Sequence, residues 1–390
     1  MFLLSTTQRA GSWQLQLSYA TRVSSYVAAH HLLRAAAAYL TQDLAPAHEV
    51  HRWRSESLDF LSPKETLSTF AQRHISHCAS TLQIPATEIS AILPATPTTS
   101  SLLAPFLRDR SYVQHTVFTV PQSMEAKRLL ECWQAVLRRH DASRTVFVVL
   151  DNEALAPFAL CVLAEESKHA DVAVYESGEF HAALKNAEEG MQLRRPAVAL
   201  TLVSAETNKL VVTAFQGLFD VETVRLLMEE VAVEYHGLPG PARTEMAAAT
   251  RAHFGASTDR SKAYWARYLA GFEAEPFPCL SGRSPNVVKK VTESVEILSR
   301  TRFAEMEEKC VGLGVTPLAV LQAGWASMLT AFSESMAEEV VFGCVHDGRN
   351  VASENLKSCI GPLFTTVPVR VNIGPQEGSE RARFITVLSC

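Results

Sequence analysis

No Cys-x-x-Cys pair occurs in the 390 residues, although eight cysteines are present, at 78, 132, 161, 279, 310, 344, 359 and 390. That absence removes the commonest zinc and dithiol patterns. Most of the eight sit in apolar stretches, which predicts reduced core thiols rather than disulfides or metal ligands. There is no Lys/Arg block, and a net charge of −5 lacks the positive footprint of a nucleic-acid binder. Long apolar runs are scarce, so a membrane span, which needs about 18 residues, is not expected. Met1–Arg9 has neither a basic start nor a following apolar core, so no secretion signal is read there. Short-period repeats and low-complexity tracts are absent too. What is present is an ordinary globular composition, 47% hydrophobic and 20% charged, with length for two domain-sized cores. The expectation is a cytoplasmic protein with a small-molecule or protein partner, and with no membrane or nucleic-acid role.

Hydropathy patterning orders the chain. Trp13, Leu15, Leu17 and Tyr19 alternate with polar residues, the period of a strand. Ser24–Leu44, rich in Ala and Leu, predicts a helix. His30-His31 lies within it and reads as structural rather than catalytic. A linker follows over 46–66, then a short helix around Leu67–Leu82, then an irregular segment punctuated by Pro94, Pro97 and Pro105. Beyond this, strands and helices alternate. Tyr112–Val120, Thr145–Leu150, Phe158–Leu163, Ala197–Val203 and Leu210–Ala214 predict strands, the last two paired through a turn at Ala205–Asn208. Leu129, Trp133, Val136 and Leu137 share one helix face; Val224, Leu227, Met228, Val231 and Tyr235 share another. A second set begins near 260. Val291, Val295 and Ile297 alternate as a strand, and Glu339–Val345 predicts a further one. Thr316-Pro317 supplies an N-cap and a first-turn proline for a helix carrying Leu321, Trp325, Met328 and Phe332 on one face. Two α/β sets of similar size predict two lobes.

Five ordered segments carry a resemblance. They begin with Ile92-Leu93-Pro94-Ala95-Thr96-Pro97, Leu102-Leu103 and Tyr112-Val113-Gln114. Arg139-His140-Asp141 with Arg144-Thr145-Val146-Phe147 comes next, then Tyr264-Trp265 with Leu269. Gly314-Val315-Thr316-Pro317 to Trp325 is the fourth, and the last comprises Phe342-Gly343, Gly348-Arg349 and the run from Ile360-Gly361-Pro362 to Arg370. In this order they resemble the motifs of nonribosomal peptide synthetase condensation domains. That resemblance implies an α/β, two-lobed fold similar to chloramphenicol acetyltransferase. It implies no directly bound cofactor and peptidyl or acyl carrier domains as partners. Those carriers supply phosphopantetheine-tethered substrates, and the acceptor amine attacks the donor thioester. The family's histidine motif, H-H-x-x-x-D-G, aligns with Phe215-Gln216-Gly217-Leu218-Phe219-Asp220-Val221. Gln216 thus stands where the resemblance implies the catalytic histidine, and Phe215 where it implies the first histidine. Asp220 is implied to be structural and held by an arginine, with Arg144 and Arg349 both open as partners; an ordinary helix N-cap is equally open. Thr98-Thr99 departs from the family's Leu-Gln.

The resemblance divides the chain into a remnant of a preceding condensation domain at 1–45, a linker and short helix at 46–87, an N-terminal lobe at 88–242 and a C-terminal lobe at 243–390. That last lobe is expected to be incomplete, with an open edge, because a complete domain would run on past Cys390. No G-x-D-S carrier motif lies between 45 and 92. The chain therefore reads as a slice of a larger synthetase or a gene remnant, similar to fungal ferrichrome-type siderophore synthetases. The function expected is condensation-domain chemistry in siderophore-type peptide synthesis, impaired in this copy. An active condensing or ester-forming domain that positions substrate through Gln216 stays open, as does a non-catalytic docking or structural module.

Overall fold

The computed structural model describes residues 2–9, 12–20, 67–151, 156–204, 207–255, 258–273, 290–294, 302–331, 338–350, 356–373 and 386–387. The chain divides into two compact units. One comprises Met1–Glu56, Lys262–Cys344 and Val367–Cys390; the other comprises Ser57–Ser261 and Val345–Thr366.

In the first of these units, β1 (Phe2–Arg9) and β2 (Ser12–Ala20) form an antiparallel hairpin, and Trp13, Leu15, Leu17 and Tyr19 lie on β2 as their alternation predicts. The helix expected at 24–44, with its histidine pair, and the linker at 46–66 fall outside the described residues.

The unit from Ser57 onward holds the candidate motif. Helix α1 (Leu67–Leu82) precedes β3 (Ile89–Pro94), and the supposedly irregular segment after β3 is helix α2 (Pro97–Asp109). Here the reading of 94–105 is corrected. The Thr96 hydroxyl accepts from Thr99 N at 3.2 Å and Pro97 sits in the first turn, the same start signal that the sequence shows at Thr316-Pro317. Burial of Leu102, Leu103 and Phe106 holds the helix despite Pro105 in its interior.

Strand β4 (Val113–Thr119) leads to α3 (Ala126–Arg139), whose inward residues are those expected: Trp133, Val136 and Leu137 are buried, and Leu129 partly so. Then follow β5 (Thr145–Val149), β6 (Phe158–Leu163), β7 (Ala173–Ser177), α4 (Phe180–Glu189), β8 (Val198–Val203), β9 (Lys209–Phe215), α5 (Val221–Tyr235) and α6 (Met246–Gly255). They build a three-stranded sheet ordered β3-β6-β5 and a four-stranded one ordered β4-β9-β8-β7. Strands β8 and β9 are interior to their sheet and carry buried residues on both faces, hence their largely apolar runs, in which Thr201 and Thr213 are buried too. Strand β7 and helix α4 escaped the sequence reading because Glu176, Glu179 and Glu189 dilute the apolar pattern there. Met228, expected inward on α5, is exposed. Thr223 and Glu230 occupy the inward stripe with Leu226, Leu227 and Val231, so the buried arc is rotated away from Met228.

Helix α7 (Thr258–Tyr268) crosses from one unit to the other in sequence. In the unit that contains the hairpin, β10 (Lys290–Ser294) pairs antiparallel with β2, giving the order β1-β2-β10. Val291 lies on β10, while Val295 and Ile297 lie outside the described residues. Helix α8 (Phe303–Leu313) is followed by α9 (Pro317–Ala331), where Ala319 N donates to the Thr316 hydroxyl at 3.1 Å. The inward face of α9 is Val320, Gln322, Ala326, Met328 and Leu329, with Trp325 only partly buried. A sheet ordered β11-β12-β13 uses β11 (Glu339–Asp347), β12 (Phe364–Asn372) and β13 (Thr386–Val387). One uncharged run, Cys310–Ser333, is longer than about 18 residues. Over it α8 and α9 bend by 94°, and among the described residues no single helix is long and apolar enough to cross a membrane. Six cysteines are described, all as free thiols; Cys344 is half-buried, the other five are buried, and burial pushes Cys359 up to about 12.

Candidate functional site

The strand β9 delivers the motif. It is paired by β4 on one side and β8 on the other, with Phe215 opposite Val113 and Ala214 opposite Gln114. Because β9 is interior, the Phe215 side chain enters the core, 4.7 Å from the Phe106 ring and edge-on to Phe147 at 5.7 Å. The chain then turns tightly: Leu218 N and Phe219 N both donate to Phe215 O at 3.0 Å. Gly217 sits beneath the Phe215 ring, where any Cβ would overlap the aromatic carbons. Its carbonyl accepts from the Thr99 hydroxyl at 3.2 Å, so the substituted first motif and the substituted third motif touch. Gly217→Ala should therefore destabilise this unit by about 1–3 kcal/mol, the range for overpacking a filled core. Thermal unfolding checks it; an unaltered midpoint would refute the crowding argument.

From Leu210 through Asp220 every residue is buried except Gln216, which is half-exposed. Its backbone N donates to Tyr112 O at 2.9 Å. Tyr112 holds a left-handed φ of 68°, uncommon for a residue with a bulky side chain. Gln216 Nε2 donates to Gln114 Oε1 at 3.4 Å, and Gln114 Nε2 donates to Phe219 O at 2.8 Å. Gln114 belongs to a quoted motif, yet sequence reasoning gave it no role; nothing local marks a strand glutamine as the neighbour of a residue 102 positions later.

Asp220 begins α5. One carboxylate oxygen caps the helix by accepting from Thr223 N at 2.7 Å, and both oxygens face the Arg349 guanidinium at 2.8 and 2.9 Å. The two alternatives read for Asp220 are thus both realised, and Arg349 is the arginine beside it. Leu363 N adds a third donor at 3.0 Å. Burial opposes the charge on Arg349, but Asp220 and then Asp347 hold its guanidinium above the usual arginine range. Its Nη2 also donates to the carbonyls of Cys359 and Gly361. Gly361 takes φ 150°, which excludes ordinary side chains, and its N–H and C=O both meet the Thr223 hydroxyl, at 3.1 and 2.9 Å. Pro362, whose ring restricts φ, lies between Gly361 and Leu363, the two residues whose backbone groups meet Thr223 and Asp220.

Arg144 lies elsewhere. It pairs with Asp141 at 2.8 Å and donates to Leu163 O, bracing the start of β5. Arg139 and His140 are also away from Gln216. Arg139 reaches Glu234 at 2.5 Å and Glu230 at 3.5 Å, and His140 Nε2 lies 2.9 Å from Glu230. Burial raises Glu230, but the hydrogen bond from His140 and the charge of Arg243 outweigh it, so its carboxyl ends below the usual glutamate range. A depressed carboxyl stabilises the fold above its unfolded value, near pH 4.3, and the gain disappears as pH falls through the folded value. Glu230→Gln should therefore lower the melting temperature at pH 7 and narrow the gap to wild type as pH drops below about 4. A gap that stays constant from pH 7 to pH 3 would contradict this.

The family model for the condensation domain matches residues 106–388. The chain belongs to the condensation-domain family. It is similar to nonribosomal peptide synthetase sidC of Aspergillus fumigatus, 33% identical over 332 residues that make 80% of this chain and 7% of that protein. It is 30% identical over 332 residues to nonribosomal peptide synthetase sidN of Epichloe festucae, 80% of this chain and 7% of that protein. Siderophore peptide synthetase fer3 of Mycosarcoma maydis is 29% identical over 307 residues, 72% of this chain and 6% of that protein. The condensation-domain chain thus spans less than a tenth of the length of these relatives. Among solved structures, the first condensation domain of the calcium-dependent antibiotic synthetase, in complex with a substrate analogue, aligns with TM-score 0.56 at 17% identity, over 74% of this chain and 71% of that one. The epimerization domain from the third module of tyrocidine synthetase B aligns with TM-score 0.58 at 14% identity, over 73% and 69%. These neighbours establish the fold, the chloramphenicol acetyltransferase-like α/β class expected from the sequence.

Proposed function

We propose that this condensation domain receives carrier-tethered substrates but is catalytically impaired, with Gln216 standing at the place of the reacting histidine. The half-exposed Gln216, alone among buried neighbours at the end of β9, carries the reading. In condensation the acceptor amine attacks the donor thioester; a C–N bond forms, the C–S bond breaks, the thiol leaves and the nitrogen loses a proton. A carboxamide can accept a hydrogen bond from that nitrogen but cannot take its proton near neutral pH. A general base typically contributes about 10²–10⁴-fold, and that factor is lost here. Asp220 has a structural role in this reading: its carboxylate is saturated by Thr223 N, Leu363 N and Arg349. Phosphopantetheine arms on partner carrier domains bring the substrates, and the chain itself holds no cofactor. Similarity to sidC, sidN and fer3 supports a place in siderophore-type peptide synthesis, and the compartment assigned in this reading is the cytoplasm.

The test is a single-turnover reaction of the purified chain with donor- and acceptor-loaded carriers, followed by mass spectrometry. No product above the uncatalysed aminolysis rate is expected, while carrier binding persists. Product formed faster than that background would overturn the proposal.

A further inference from the structure

The hydrogen bonds around Gln216 have a direction that their chemistry dictates. The Phe219 carbonyl oxygen only accepts, so Gln114 must turn its NH2 group toward it, at 2.8 Å. That leaves Gln114 Oε1 facing Gln216, and because this oxygen also only accepts, Gln216 must present its own NH2, at 3.4 Å. A fixed backbone carbonyl thereby sets the flip of two carboxamides in series. Among the described residues nothing donates to Gln216 Oε1. Both glutamines are half-exposed, while Leu210–Phe215 and Gly217–Asp220 on either side of Gln216 are buried.

We propose that Gln114 is a positioning residue, which locks the carboxamide of Gln216 so that Oε1 is the atom offered to an acceptor amine. The inference rests on the reading of Gln216 given above and adds the atom and its cause. The orientation matters to a nucleophile. An oxygen that accepts from the amine N–H leaves the nitrogen lone pair free to attack. A flipped carboxamide would instead donate its N–H to that lone pair and occupy it. With Gln114 in place only the first arrangement keeps both internal hydrogen bonds.

The experiment uses the full chain and two probes: an aminoacyl-pantetheine in which an amide replaces the thioester, and its analogue with a methyl group in place of the amine. Calorimetry gives the affinity of each for wild type, Gln216→Leu and Gln114→Leu. Gln114→Met, which keeps the side-chain length, is measured alongside in case the leucine variant fails to fold. Wild type should prefer the amine probe by about 3- to 10-fold, the worth of one net hydrogen bond. Gln216→Leu should abolish the preference. The Gln114 variants should reduce it at least twofold without weakening the methyl probe, a selectivity that a purely structural role would not produce. Loss of preference in Gln216→Leu but full preference in the Gln114 variants overturns the role of Gln114 alone. A wild type without preference, or a Gln216→Leu variant that retains it, overturns the reading of Gln216 and this inference with it.

Discussion

Asp220→Ala should lower the unfolding free energy of its unit by about 3–5 kcal/mol, the range for removing one partner of a buried ion pair. The cost comes from what is left behind. Arg349 is only 4% exposed, and without Asp220 its guanidinium keeps a single carboxylate, Asp347, which is itself half in solvent. Thr223 N and Leu363 N lose their acceptor in the same step. Because Asp347 remains at 2.9 Å, the lower end of that range is expected. Urea unfolding of Asp220→Ala, Arg349→Ala and the double variant resolves the pair. The double variant should lose much less than the sum of the two singles, since residues in one network do not act additively. An unchanged midpoint in Asp220→Ala would show that the pair does not hold this unit together.

Gln216→His should raise the single-turnover rate by about 10²–10⁴-fold over wild type, the usual contribution of a general base. The setting is prepared for it. Gln114 Oε1 accepts from the residue at 216, so an imidazole N–H placed there would be held by the same oxygen, leaving the second ring nitrogen as the base. The regained activity should rise with pH through about 6.5, because the neutral imidazole is the form that takes a proton. A folded Gln216→His that stays at the background rate would mean that something other than the missing base limits turnover.

How far the fold was legible depended on the kind of signal. Strands β5, β6, β8 and β9 were readable because each is a short, mostly apolar run, and α3 because Trp133, Val136 and Leu137 repeat at helical spacing. Helix α2 was not, although Thr96-Pro97 is the same start as Thr316-Pro317; three prolines close together outweighed it. The candidate site split along similar lines. Asp220 announced its cap by position, three residues before Thr223 on a helix. Its arginine did not, because two arginines were available at motif positions and only tertiary structure brings Arg349 across 129 residues of sequence. Likewise the sequence alone did not say what Phe215 does where the first histidine was expected: its ring packs in the core against Phe106 and Phe147.

The route of the chain through Arg349 has a consequence for synthesis on the ribosome. The unit that contains Asp220 is interrupted: after Ser261 the chain builds Lys262–Cys344 of the other unit before returning with Val345–Thr366. At 5–20 residues per second, those roughly 80 residues delay its completion by about 4–16 s. Throughout that interval the start of α5 has its helix cap but no guanidinium, and Met246 lacks the cover of Ile360 and Gly361. Whatever part of β3–β9 and α5 forms in that interval forms without Arg349, Ile360 and Gly361. The last contacts of the Asp220 network are thus made only after the intervening stretch of the other unit has been synthesised.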